Sequence, residues 1–99
     1  MEITFANSVM TASLTGEIDH HSAKEMREKI DFELIKRKPS KLILDFSGVT
    51  FMDSSGVGLV MGRYKKCSAI ECRTSVTGLR ERDKKIMKMS GLINVVEFI

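Results

Sequence analysis

Two neighbouring stretches, Lys41–Phe46 (KLILDF) and Phe51–Gly58 (FMDSSGVG), decide how this chain folds. The first is a short apolar run directly after Pro39. It reads as a central strand buried on both faces, and therefore parallel to its neighbours. Residues 47–53 read as a loop. A helix starts near Ser54, where Val57, Val60, Met61 and Tyr64 fall at i, i+3, i+4 and i+7 and form one buried stripe. A buried strand feeding a helix is the repeating unit of an α/β domain.

Working outward, Ile3–Thr15 reads as two short strands turning near Asn7–Ser8 and closing at Gly16. Ser22 and Glu25 have capping-box spacing. Ala23, Met26, Ile30 and Leu34 then mark the buried face of a helix that Pro39 ends by about Arg37. Glu25 is placed to pair with Lys29 on its surface. Downstream, Glu71–Val76 reads as a strand. Arg80–Ser90 reads as a charged helix with Ile86 and Met87 inward, closed by Gly91, and Val95–Ile99 as a last strand.

Composition excludes several classes. The chain has 99 residues, 42% of them apolar and 29% charged, which is one ordinary globular domain. No apolar run is long enough to span a membrane, and the N-terminus lacks a secretory signal pattern. Cys67 and Cys72 are not spaced as a redox or metal pair and read as free, buried thiols in a reducing cytoplasm. Between Arg63 and Met89 nine basic residues face three acidic ones, in a chain of net charge +3. With no Trp and one Tyr, this basic segment lacks the interleaved aromatics of a nucleic-acid platform and reads as a solvated face, not a DNA-binding one. Met26, Met61 and Met87 sit on apolar stripes as core fillers.

Asp53-Ser54-Ser55-Gly56-Val57-Gly58 carries the chemistry. In the plainest reading, Asp53 or Ser54 caps the helix, while Gly56 and Gly58 let it approach the sheet. Three glycines, with Gly62, cost helix stability, which points to the close approach of another surface. A phosphate-binding loop fits poorly, since the spacing is G-x-G-x-x-x-G with no G-K-[ST]. A hydrolase fits poorly too, since the G-x-S-x-G elbow is missing and nothing sets His20 or His21 against Ser54 as a base. The adjacent histidines diverge, so joint metal binding by them is not expected. A regulatory phosphoacceptor fits best: a serine at a helix start is accessible, and a phosphate there meets the helix N–H groups.

The motifs resemble those of bacterial anti-sigma factor antagonists of the STAS family, in particular its sporulation members. The resemblance rests on Gly16-Glu17-Ile18-Asp19-His20-His21-Ser22-Ala23, on Phe51–Gly58 continuing to Gly62-Arg63-Tyr64-Lys65, and on Met89-Ser90-Gly91-Leu92. It implies one STAS-like domain over residues 1–99, with a mixed, mostly parallel sheet of four to five strands against three to four helices. The implied function is a non-catalytic, cofactor-free, cytoplasmic switch, monomeric when free. The unphosphorylated form would bind an anti-sigma factor that is also an ATP-using serine kinase, releasing the sigma factor. Phosphorylation of Ser54 would end binding, and a metal-dependent serine phosphatase would reset it. Asp19, His20 and His21, with Asp53, Ser54, Ser55, Gly56 and Gly58, would form the partner surface. Family members commonly continue into a further helix beyond the last strand, so one flank of the sheet is expected to be less covered. The alternative is a STAS scaffold that senses a nucleotide or anion.

Overall fold

Asn7 and Ser8 both take positive φ, 53° and 64°, the conformation a two-residue hairpin turn requires. They join β1 (Glu2–Ala6) to β2 (Val9–Ile18). The computed structural model describes residues 1–99 and continues with α1 (His20–Arg37), β3 (Lys41–Met52), α2 (Ser55–Ala69), β4 (Arg73–Thr77) and α3 (Glu81–Met89). A 3-10 turn at Leu92–Asn94 leads to β5 (Glu97–Phe98). The sheet order is β1-β2-β3-β4-β5, with β1 antiparallel to β2 and every other pairing parallel. The three crossovers step across the sheet in one direction, so right-handed connections place all three helices on the same face.

That arrangement corrects the expectation for KLILDF. Leu42, Leu44 and Phe46 are buried, while Lys41, Ile43 and Asp45 are only half-buried. The strand is parallel to β2 and β4, yet one of its faces is not covered by helices. Met10, Ala12 and Leu14 of β2 complete the buried face with Val76 of β4, against Met26, Ile30 and Leu34 of α1 and Leu59 and Val60 of α2. On the open face Glu97 accepts a hydrogen bond from the Ser75 hydroxyl at 2.9 Å and lies 3.5 Å from Lys41. The Ser75 hydroxyl, helped by the Lys41 charge, holds the Glu97 carboxyl below its usual range.

Two elements run on past their expected ends. Gly16 does not close β2, and residues 47–52 are strand, not loop. The β2–β3 register slips between Ser13 and Thr15 and again between Gly16 and Glu17. Gly16 takes φ +78°, and a Cβ on Gly48 would lie 2.9 Å from the Leu14 carbonyl oxygen. These glycines mark irregularities inside strands that continue, which sequence alone cannot separate from turns.

The α1 cap also differs. Asp19, not Ser22, is the N-cap, and the box forms between Asp19 and Ser22. Glu25 lies 3.6 Å from His21 and is not within ion-pair reach of Lys29. Lys38 ends the helix in the left-handed conformation, as Pro39 requires it to stop. In α2 the buried residues are Gly56, Leu59, Val60, Arg63 and Cys67; Val57, Met61 and Tyr64 lie at the margin. Arg63 reaches Asp31 of α1, Nε to Oδ1 at 2.9 Å, with Lys66 4.0 Å from the other oxygen. Burial pushes the Asp31 carboxyl up and the Arg63 guanidinium down, and each resists through the other's charge. Cys67 and Cys72 are free and buried; burial, then the neighbouring Cys67, pushes the Cys72 thiol up to about 12.

Candidate functional site

The parallel pairing of β2 with β3 continues to Ile18 and Met52, so both strands end at the same level. The next residues, Asp19 and Asp53, open α1 and α2 side by side, and the Asp53 N–H donates to the Ile18 carbonyl at 3.1 Å. Two aspartate-led helix starts are thus brought together at one end of the sheet. On the β4 side, the Arg80 guanidinium ties α3 to this end by donating to the Thr50 carbonyl and pairing with Asp83 at 3.0 Å.

At α1 every capping group is used. The Ser22 N–H donates to Asp19 Oδ1 at 2.9 Å, and the Asp19 N–H donates to Ser22 Oγ at 3.0 Å. Ser22 Oγ in turn donates to the Glu17 carbonyl at 2.8 Å. The Ser22 N–H, first among several hydrogen bonds, holds the Asp19 carboxyl below its ordinary range. At α2 the capping oxygen belongs to Asp53: the Ser55 N–H donates to its Oδ1 at 2.7 Å. Ser54, next in line, has helical dihedrals, makes no side-chain capping bond and is exposed.

The next three N–H groups of this turn are engaged as well, which leaves the Ser54 N–H as the one without a protein partner. Gly56 donates to the Asp53 carbonyl, and Val57 and Gly58 donate to the Ser54 carbonyl, at 3.0 to 3.3 Å. The expectation that a phosphate would meet several free helix N–H groups is thus narrowed to the Ser54 N–H. Asp53 already fills the anion position of this helix end, and a phosphate on Ser54 would project outward beside a carboxylate.

The glycines divide by role. Gly56 is buried, and a Cβ there would collide with the Met52 side chain of β3. Gly56 is explained by packing within the domain. Gly58 and Gly62 have nothing within 4 Å of where a Cβ would sit. Four residues apart, they share one face of α2. A groove of about 300 Å³ runs between the helices, lined by His20, Ala23, Lys24 and Arg27 of α1 and Ser55, Gly58 and Leu59 of α2. His20 belongs to it, whereas His21 is exposed beside Glu25. Lys24 and Arg27 were not among the candidates, although their i+4 and i+7 spacing from His20 places all three along one side of α1.

The five-stranded α/β sheet with its capped strand-to-helix end is that of a STAS domain, and the STAS domain family matches residues 1–99 in full. The chain belongs to that family. Its relatives include the anti-sigma F factor antagonist of Lysinibacillus sphaericus, 38% identical over 79 residues, which cover 80% of this chain and 68% of the relative. Among solved structures, the unphosphorylated anti-sigma factor antagonist SpoIIAA matches 99% of this chain and 86% of its own, with TM-score 0.79 and 27% identity. The phosphorylated form of SpoIIAA from Bacillus matches 99% and 89%, with TM-score 0.78 and 30% identity. No helix here is long and apolar enough to cross a membrane.

Proposed function

We propose that this chain is an anti-sigma factor antagonist switched by phosphorylation of Ser54. In its unphosphorylated form it captures an anti-sigma factor that is itself an ATP-using serine kinase, and the bound sigma factor is released. Transfer of phosphate to Ser54 ends the capture, and a metal-dependent serine phosphatase restores it. The observation that carries this reading is the uncapped, exposed Ser54 hydroxyl beside an Asp53 that already does the capping. The helix does not need the Ser54 side chain, so modifying it leaves the fold intact. Similar agreement with the phosphorylated and unphosphorylated forms of SpoIIAA supports a switch that acts without refolding.

The electrostatics follow from the geometry. A phosphate adds about −1.5 to −2 charges at neutral pH. With the N–H groups of residues 55–58 taken and Asp53 adjacent, that charge faces the partner. Repulsion and desolvation then oppose binding, and about 3 kcal/mol is enough for a 150-fold change in affinity. Gly58 and Gly62 supply a face that a partner can approach closely, with His20 and Ser55 in the groove beside Gly58 and Asp19 at the adjoining start of α1. The basic groove wall of Lys24 and Arg27 also favours a second reading, an anion- or nucleotide-sensing scaffold.

One experiment separates these readings. The protein is incubated with ATP and an anti-sigma factor kinase of this family, then weighed intact and mapped by peptide. A single phosphate on Ser54 supports the switch. No phosphate from a kinase active on its own substrate, together with heat on titrating ATP or GTP, selects the scaffold.

A further inference from the structure

The free edge of the sheet at β1 lies across β2 from β3 and the start of α2 that β3 feeds. Its geometry can be read residue by residue. The two-residue turn at Asn7–Ser8 closes on the pair Ala6 and Val9, and hydrogen-bonded pairs alternate from there. Ala6, Thr4 and Glu2 therefore turn their backbone groups towards β2, and Ile3 and Phe5 turn theirs outward. The outward groups have no strand partner, because β1 ends the sheet.

The other edge, β5, is two residues long, and shortness alone protects it. β1 is five residues long and carries no Lys, no Pro and no bulge, and its single charge is Glu2. Beside it lies a groove of about 530 Å³ between β1 and α1, with Met1, Ile3, Phe5 and Phe32 as its apolar lining. Phe32 is 64% exposed and Phe5 39%. The charged rim is balanced, Glu28 and Glu33 against Lys29 and Arg37.

We propose that β1 is a homodimerisation edge, pairing antiparallel with β1 of a second copy about a two-fold axis at Thr4. The hydrogen-bond pattern selects this register. Outward-facing residues must meet outward-facing residues, and full overlap of Glu2–Ala6 then sets Ile3 opposite Phe5 of the second copy, and the reverse. Each such pair exchanges two backbone hydrogen bonds. The four apolar side chains fall on the groove side of the joined sheet. Glu2 meets Ala6, so no like charges oppose each other. The balanced rim lets two copies of a chain with net charge +3 approach at this face. A pairing this short belongs to interfaces burying under about 1,200 Å², so the dimer dissociates on dilution. Such a dimer departs from the free monomer expected from the sequence. It also leaves Ser54 of both copies uncovered, since no residue of the switch lines the groove.

The test is oxidation of single-cysteine variants of the full chain, read on non-reducing gels. Thr4 is exposed and sits on the axis in a non-hydrogen-bonded pair, where directly opposed Cβ atoms come within roughly 4.5–5.5 Å. Thr4→Cys should form a covalent dimer readily. Ala6→Cys should not, because the two Ala6 positions lie about 13 Å apart in this register. The native cysteines are buried and give no background. Sedimentation of the unmodified protein should show a concentration-dependent dimer, which Phe32→Glu abolishes without lowering the melting temperature. Equal cross-linking of Thr4→Cys and Ala6→Cys, or a wild-type chain that stays monomeric at about 1 mM, a Kd limit at the weak end of specific association, overturns the proposal. The second result would leave the edge to an extended segment of another protein.

Discussion

The helices after β2 and β3 start side by side, each with a capping aspartate and a serine within three residues. At α1 the serine is locked: Ser22 accepts from Asp19, donates to Glu17 and closes the capping box. At α2 the same aspartate chemistry does the capping alone, and Ser54 keeps its hydroxyl free. The helices differ in the same sense further on. α1 runs 18 residues without a glycine, while α2 has glycine at 56, 58 and 62. One start is built to stay shut, and the other leaves its serine and one face of its helix open to a visitor. The contrast teaches that a cap residue one position too early is informative, because it frees the serine after it.

The largest effect should come from exchanging the serines' roles. Ser54→Ala should abolish phosphate incorporation by the kinase while keeping partner binding and stability. Ser22→Ala should leave incorporation intact and cost roughly 1 kcal/mol of stability through the lost hydrogen bonds. Mass spectrometry and chemical denaturation read the two. If Ser54→Ala still takes up one phosphate, the contrast between the two starts has no functional meaning.

Next come the glycines, which should move stability in opposite directions. Gly56→Ala must displace the buried Met52 side chain and should cost about 1–3 kcal/mol. Gly58→Ala meets open space and should stabilise α2 by up to about 1 kcal/mol, yet weaken partner binding measured by calorimetry. A Gly58→Ala protein that is more stable and binds undiminished would remove the partner face from the argument.

A smaller effect is expected at Asp53. Asp53→Ala should cost roughly 1 kcal/mol by unfolding titration, through loss of the Ser55 N–H contact. Asp53→Ser should recover most of it.

The smallest concerns pH. The folded-state carboxyl of Asp19 lies below its ordinary value of 3.8, so its stabilising contribution is full above that pH. It is lost as pH falls through the lowered folded value. The melting temperature should fall over that window in the wild type, and Asp19→Asn should flatten this part of the dependence.

Most of this comparison could be read from the residues. The parallel core strand after Pro39, the helix start beside Asp53 and the buried face of Met26, Ile30 and Leu34 all follow from periodicity and punctuation. Three features could not be read. Ser22–Glu25 and Asp19–Ser22 both satisfy box spacing, and only the position of Ile18 at the strand end decides between them. Gly16 and Gly48 look like turns, because a bulge and a turn ask the same of a glycine. Arg63 falls on the buried side of α2 because Asp31 waits on α1, a pairing between residues 32 apart that no local pattern reveals. The division of Gly56 from Gly58 likewise depends on where Met52 lies, which only the three-dimensional packing supplies.

The glycine spacing of α2 has a kinetic consequence. A helix whose opening turns carry three glycines frays easily, because each adds disorder to the open state that a side chain would restrict. Residues 55–58 should therefore exchange their amide hydrogens faster than 59–67 of the same helix, although all are hydrogen-bonded in the folded state. Such fraying would present Ser54 on a short pliable segment instead of a rigid cylinder, which is what an enzyme needs to reach around an oxygen atom. When the segment closes again, Asp53 recaps it at little cost, and in the proposed switch the serine would be handed over and taken back without disturbing the sheet behind it.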